Sequence, residues 1–220
     1  MQVLEDLQLN GLKIYQDDEL YRFTSDAVRL SYFATVKKDD TVADFCSGSG
    51  IVGLHLLGLN KVIKSVTLFE MQKPLYDLSV KSIEYNNLKD KVFAVNTRLQ
   101  DIGSEYNEKF SLIVCNPPYM KKDSGAVNEK DEIAVCRCEI TLELNELIDA
   151  VSKCLKFGGR FAVVHRAERL VDVMEYLRKK NIEPKRLQLV ASGDKEPYLF
   201  MLEAVKGGKK GLKVLKTLVL

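Results

Sequence analysis

The chain has 220 residues, 46 % of them hydrophobic and 29 % charged, which supplies one substantial core and excludes the low-hydrophobicity pattern of disordered chains. Lysine and arginine total 33 against 31 acids, a net charge of +2, so contact with a polyanion has to come from local clustering. No stretch approaches the ~18 consecutive apolar residues of a membrane span, and Glu5 and Asp6 stand where a signal peptide carries positive charge. A cytoplasmic protein with no membrane contact is expected. The cysteines, Cys46, Cys115, Cys136, Cys138 and Cys154, form an odd set without framework spacing and read as free thiols. With His55 and His165 the only histidines, no metal site is expected.

In chain order, Asp6-Leu7-Gln8-Leu9-Asn10-Gly11-Leu12-Lys13-Ile14 reads as two alternating runs joined by a two-residue Asn-Gly hairpin turn. Thr24-Ser25-Asp26 offers N-cap side chains for a short helix running to Ala34. From Thr41 onward strands alternate with helices. The strands are expected at 41–46, 65–69, 92–95, 110–115, 160–165, 187–191 and 198–205, and helices from about Gly50 and over 74–86. Ile140, Leu144, Leu147, Ile148, Val151 and Leu155 line one face of a further helix that Gly158-Gly159 should end. Leu170, Val173, Met174 and Leu177 make another stripe, and both stripes read as core. This alternation predicts an α/β fold, an open, mostly parallel sheet covered on both faces, in which residues 1–40 form a hairpin-and-helix extension packed on a core of residues 41–220. In such sheets ligands bind beyond the carboxyl ends of the strands, so the residues directly after each strand are the ones to inspect.

After the first parallel strand comes Asp44-Phe45-Cys46-Ser47-Gly48-Ser49-Gly50-Ile51-Val52-Gly53, a G-x-G-x-x-G pattern leading into a helix. Its glycines allow a sharp turn and let a ligand press against bare backbone. The next strand ends at Glu70, twenty residues after Gly50, where a carboxylate can accept hydrogen bonds from both hydroxyls of a ribose. An adenosine-containing cofactor follows, with a nicotinamide dinucleotide, or a glycine turn with no ligand, as the competing readings at this point. Ser111-Leu112-Ile113-Val114-Cys115 then runs into Asn116-Pro117-Pro118-Tyr119. The two prolines fix a rigid turn, in which the Asn116 side-chain oxygen and the Pro117 carbonyl can accept the two hydrogens of one planar amine. Tyr119 offers a flat face for a ring, and pulling on both hydrogens favours a pyramidal nitrogen with its lone pair aimed at an electrophile in the glycine pocket.

With these motifs in place the chain resembles the class I S-adenosylmethionine-dependent methyltransferases of the N6-adenine and N5-glutamine type, over nearly its whole length. More narrowly, the opening 6–14 run, Phe23-Thr24-Ser25-Asp26-Ala27-Val28 and the ending Gly207-Gly208-Lys209-Lys210-Gly211-Leu212-Lys213-Val214-Leu215 resemble the bacterial valine-tRNA (adenine-37-N6)-methyltransferases. The resemblance implies a Rossmann-like, seven-stranded sheet with the last strand antiparallel, and methylation of the adenine beside the anticodon with S-adenosyl-L-homocysteine as by-product. It implies cofactor contacts from Thr24, Asp44, Cys46, Gly48, Gly50, Glu70, Met71, Leu99, Asp101 and Asn116, and a catalytic turn of Asn116, Pro117, Pro118 and Tyr119. Relatives place an acid just after the third strand to meet the cofactor adenine, so Asp101, or the backbone amide of Leu99, is expected there.

On the substrate side, residues 205–220 carry five lysines and no acid. Lys121 and Lys122, with Lys206, Lys209, Lys210 and Lys213, are the expected contacts to the anticodon loop and neighbouring phosphates of tRNA. No obligate protein partner is implied. The enzyme-class rival is N5-glutamine methylation of a translation release factor, whose enzymes carry a helical domain before the core where this chain has about 40 residues. A non-catalytic RNA-binding module is the remote alternative, and the intact Asp44, Glu70 and Asn116–Tyr119 set argues against it.

Overall fold

The protein is described by a computed structural model over residues 1–20, 22–118 and 142–220. It opens with an antiparallel hairpin of β1 (Gln2–Asp6) and β2 (Lys13–Asp17). The hairpin is wider than the sequence suggests, because its strands pair outside Leu7–Leu12. Asn10 (φ 53°) and Gly11 (φ 75°) do form the tight left-handed turn, closed by the Leu12 N–H to Leu9 carbonyl bond at 2.9 Å. Leu7 still donates its N–H to the Leu12 carbonyl at 2.9 Å, but the alternation breaks at Gln8, at φ 55° with its N–H held by the Asp6 carboxylate at 2.6 Å. Helix α1 (Ser25–Phe33) follows, with Thr24 at the N-cap position; its side chain makes no capping bond.

The main sheet is built from β3 (Thr41–Phe45), β4 (Ser65–Glu70), β5 (Val92–Asn96), β6 (Phe110–Cys115), β7 (Leu155–Arg166), β8 (Ile182–Ala191) and β9 (Leu199–Lys206). Two short strands, β10 (Lys213–Val214) and β11 (Leu218–Val219), pair with the outer edge of β8. The spatial order is β5-β4-β3-β6-β7-β9-β8, all parallel except β9, which runs against both neighbours. This is the seven-stranded, mostly parallel Rossmann-like sheet expected, extended by two strands that the lysine-rich tail concealed. Helices α2 (Ile51–Leu59), α3 (Lys73–Tyr85), α4 (Leu144–Cys154) and α5 (Leu170–Lys179) cover its faces. Strand order reverses between β3 and β6, so the crevice for a ligand opens above their carboxyl ends.

Two boundaries differ from the periodic reading. Helix α4 starts at Leu144 behind a capping box of Glu143 and Glu146 and stops at Cys154. Leu155 is already a fully buried strand residue, and Gly158 (φ 73°) and Gly159 lie inside β7, where residues 156–159 stand opposite Ser111 alone between the Phe110–Leu155 and Leu112–Arg160 pairs. Glycine is needed there, since a Cβ at Gly159 would sit 2.8 Å from the Lys156 carbonyl oxygen. Ile140 lies outside the described residues.

Two hydrophobic layers sandwich the sheet, one holding Leu30, Leu54, Val66 and Leu112, the other Phe45, Phe69, Ile148, Val151 and Leu202. The N-terminal hairpin sits on α3 through side-chain bonds: Asn86 accepts the Lys13 N–H at 2.9 Å and donates to the Lys13 carbonyl at 2.6 Å, and Ser82 Oγ accepts the Tyr15 N–H at 2.9 Å. Among the described residues no helix is long and apolar enough to cross a membrane.

Candidate cofactor and amine site

Strand β3 ends at Phe45 and the chain turns through two glycines and one cysteine with positive φ, Cys46 (56°), Gly48 (56°) and Gly50 (94°). At Gly50 a Cβ would meet Leu68 Cδ1 at 2.8 Å, so glycine is required both for the conformation and for the close approach to β4. The loop is stitched to the neighbouring strand by Ser47 N–H to the Phe69 carbonyl at 3.0 Å. Beneath it, Asp44 is fully buried, and its Oδ2 accepts the Gly53 N–H at 2.8 Å in the first turn of α2, where the positive end of the helix dipole favours an anion. Burial pushes the Asp44 carboxyl up to about 7, and the Glu70 charge adds to the rise while the Gly53 bond opposes it. Asp44 Oδ1 and the buried Ser47 hydroxyl have no hydrogen-bond partner.

Glu70 closes β4, 5 % exposed. Its Oε2 accepts the Gly48 N–H at 2.8 Å and its Oε1 the Gln72 N–H at 2.7 Å, so one carboxylate ties the glycine loop to the β4 exit. Burial raises its pKa, with those backbone donors opposing. Across the reversal point, β6 delivers Asn116, Pro117 and Pro118 beside the glycine loop, because Phe45 and Cys115 are register partners at the ends of β3 and β6. A cavity of about 320 Å³ is enclosed by these three strand ends, by Phe23, Thr24, Asp26 and Ala27 of the segment entering α1, and by Thr97, Leu99 and Gln100 after β5. That size suits a ligand of nucleoside dimensions.

Of the sequence-derived candidates, Thr24, Cys46, Gly48, Glu70, Met71, Leu99, Asn116, Pro117 and Pro118 line this one cavity. Asp44 and Gly50 do not line it; they shape the loop from below. Asp101, exposed at the end of a short 3-10 turn (Leu99–Asp101), is not among the residues that line the cavity, whereas Thr97, Leu99 and Gln100 are. Lys206 is a correction: its ammonium donates to the Ser152 and Leu155 carbonyls at 2.8 and 2.9 Å and pairs with Glu108 at 3.1 Å, so it caps α4 and has no donor left for phosphate. Lys209, Lys210 and Lys213 are exposed. Tyr119, Lys121 and Lys122 lie outside the described residues.

Sequence reading missed Asp26 and Ser47, which line the same cavity, and Gln16, which bonds to residues of its walls. His55 is buried in α2 with Nδ1 2.6 Å from Ser31 Oγ, and His165 ends β7 with its pKa pushed down to about 4 by burial and by Arg169 and Arg166. Cys115 is buried against Cys46, and burial raises its thiol well above the ordinary value, which makes it a poor nucleophile. Among the described residues no group of three His, Cys, Asp or Glu could hold a metal ion.

The family model described as methyltransferase small domain matches residues 27–180. A tRNA1(Val) (adenine(37)-N6)-methyltransferase of Flavobacterium johnsoniae is 24 % identical over 158 residues, 71 % of this chain and 66 % of that one. Its counterpart in Flavobacteriaceae bacterium strain 3519-10 is 25 % identical over 206 residues, 87 % and 86 % of the two chains. The chain spans 66 %, 64 % and 58 % of three such relatives, less than two thirds of each. Among solved structures, a predicted O-methyltransferase, Atu636 of Agrobacterium tumefaciens, superposes with a TM-score of 0.68 at 15 % identity, over 88 % of this chain and 86 % of that one, a likeness of fold.

Proposed function

Because the chain belongs to the methyltransferase small domain family, we propose that it transfers a methyl group from S-adenosylmethionine to the N6 amine of an adenine in tRNA, adenine 37 beside the anticodon of a valine tRNA. The relatives named for that reaction support the substrate. The observation that carries the reading is the convergence of the glycine loop, Glu70 and Asn116-Pro117-Pro118 on one cavity at the switch point of the sheet. In this reading residues 41–220 are the methyl-transfer domain and residues 1–40 an extension that completes its cavity.

The residues present fit the cofactor. Ser47 lines the cavity with a buried, unpartnered hydroxyl that suits the amino-acid end of the cofactor, and Asp44, with Oδ1 unpartnered beneath the glycine loop, favours the ammonium there through its charge. Glu70 has two oxygens for two vicinal hydroxyls, and Thr97 and Leu99 flank the remaining space. When bound, S-adenosylmethionine supplies an electrophilic methyl group on a sulfonium. Asn116 and the Pro117 carbonyl would hold the two amine hydrogens of the target adenine, orienting the nitrogen lone pair toward the methyl group that the cofactor would supply. The nitrogen sheds its extra proton to water afterwards, so no general base is required before transfer.

Tyr119 is proposed to stack on the extruded base, returning about 1–3 kcal/mol of its unstacking cost, and Lys121 and Lys122 to meet flanking phosphates. Lys209, Lys210 and Lys213 stand on the tail that runs along β8. That strand is three spacings, about 14 Å, from β6, which suits a tRNA stem and not the target nucleotide. The test is a nucleoside mass spectrum of unmodified tRNA after incubation with the protein and S-adenosylmethionine, with a release factor in parallel. N6-methyladenosine in the tRNA digest is expected; methylglutamine in the release factor with unmodified tRNA would overturn the substrate.

A further inference from the structure

We propose that Gln16 is a positioning residue for the cofactor cavity, clamping the two walls between which the cofactor lies; this rests on the reading of that cavity as the S-adenosylmethionine site. Gln16 belongs to β2, outside the segment matched by the family model, and its carboxamide is only 1 % exposed. A buried carboxamide costs free energy unless each polar atom is bonded, and here each is. Oε1 accepts the Phe23 N–H at 3.2 Å, and Nε2 donates to the Tyr15 carbonyl at 3.0 Å and to Ser49 Oγ.

Two of those partners face the cavity from different directions. Ser49 is in the glycine loop, and Phe23 begins the segment through Thr24, Asp26 and Ala27 that forms the opposite wall. The amide therefore fixes the gap between the loop and the strap. The strand beside Gln16 is held by the Tyr15 N–H on Ser82 Oγ of α3, whereas Asn86 bonds only Lys13 at the start of the strand. Because Gln16 donates to Ser49, the serine hydroxyl hydrogen stays available to an acceptor. Hairpin attachment and cavity geometry are thus separable: Asn86 serves the first alone and Gln16 serves both.

The experiment compares Gln16→Met, which keeps side-chain volume and loses the bonds, with Asn86→Ala, which loosens the hairpin away from the cavity. Calorimetric binding of S-adenosylmethionine to the full chain, thermal unfolding and initial rates on tRNA are recorded for each. In Gln16→Met the cofactor Kd is expected to rise about tenfold, the loss of one or two buried hydrogen bonds, with kcat at saturating cofactor within about twofold and the KM for tRNA unchanged. Asn86→Ala should lower the unfolding temperature and leave the cofactor Kd alone. Ser49→Ala removes one of the same bonds, so its loss in Kd and that of Gln16→Met should fall short of additive in the double variant. Unchanged Kd in Gln16→Met, or an equal rise in Asn86→Ala, would overturn the clamp; fully additive losses would overturn the Gln16–Ser49 link. A wild-type chain that does not bind S-adenosylmethionine would overturn the reading of the site instead.

Discussion

Two aspartates four residues apart, one just before β3 and one within it, meet opposite fates. Asp40, just before β3, is 3 % exposed, and its oxygens take the Arg160 guanidinium at 2.5 Å, the Ser111 hydroxyl at 2.7 Å and the Lys37 N–H at 2.6 Å. Asp44, near the other end of the same strand, is more deeply buried, has one backbone donor, keeps an unpartnered oxygen and carries a pKa raised to about 7. At the amino end of the sheet buried charge is neutralised within the fold. At the carboxyl end one oxygen of Asp44 is left without a hydrogen-bond partner, beneath the loop that borders the cavity. The lysines divide in the same way. Lys206 is consumed as a helix cap, whereas Lys209, Lys210 and Lys213 remain in solvent.

The largest effect is expected at the carboxyl end. Asn116→Ala should lower methyl transfer by about 10²–10³ with a smaller effect on cofactor binding, since the proposed role of its side-chain oxygen is to hold the amine; rates and calorimetric binding on one preparation check this, and normal turnover would remove Asn116 from the site. At the amino end, Arg160→Met leaves Asp40 buried without its cation. That should cost about 3–5 kcal/mol of stability in denaturant unfolding, with cofactor affinity unaltered in the folded fraction.

A pH titration sharpens the contrast further. The native chain holds the Asp44 proton up to about pH 7, against 3.8 for the ordinary carboxyl. Its contribution to stability is therefore full below 3.8 and declines as pH rises through 7, where the buried carboxyl ionises. Ionisation is also what a cationic ligand requires, so S-adenosylmethionine should bind more tightly at pH 8 than at pH 6, and more weakly in a protein whose Asp44 is replaced by Asn. Flat affinity over that range would detach Asp44 from the cofactor. The smallest effect is on the tail: replacing Lys209, Lys210 and Lys213 by Ala should reduce the log-log salt slope of tRNA binding by about 2–3 units and leave the cofactor Kd unchanged.

Sequence reasoning located the carboxyl end far better than the rest, for a physical reason. Strand-end loops that approach a ligand need particular residues: glycine at φ 94° for Gly50, prolines at 117 and 118, a carboxylate at 70. Such requirements leave local signatures. Asp101 falls outside the lining while Leu99 two residues earlier belongs to it, a distinction a three-residue 3-10 turn without periodicity does not reveal in the sequence. Lys206 looked like every other lysine of the tail, since its partners are the Ser152 and Leu155 carbonyls at the end of α4, about 50 residues upstream. The same holds for Gln16, Asp40 and Arg160, whose meaning lies in long-range contacts. The glycines at 158–159 resembled a helix stop and instead let β7 absorb a bulge.

The most direct test pairs Asp40→Asn with Asp44→Asn, measuring denaturant unfolding and S-adenosylmethionine binding at pH 7.5 for each. Asp40→Asn should destabilise the fold strongly and leave the Kd of the folded protein unchanged. Asp44→Asn should keep or raise stability, since an amide replaces a carboxyl that burial already disfavours as a charge, and should weaken binding about tenfold or more. Equal destabilisation by both, with cofactor affinity intact in Asp44→Asn, would contradict the account that the carboxyl end of the sheet holds its buried charge for a ligand.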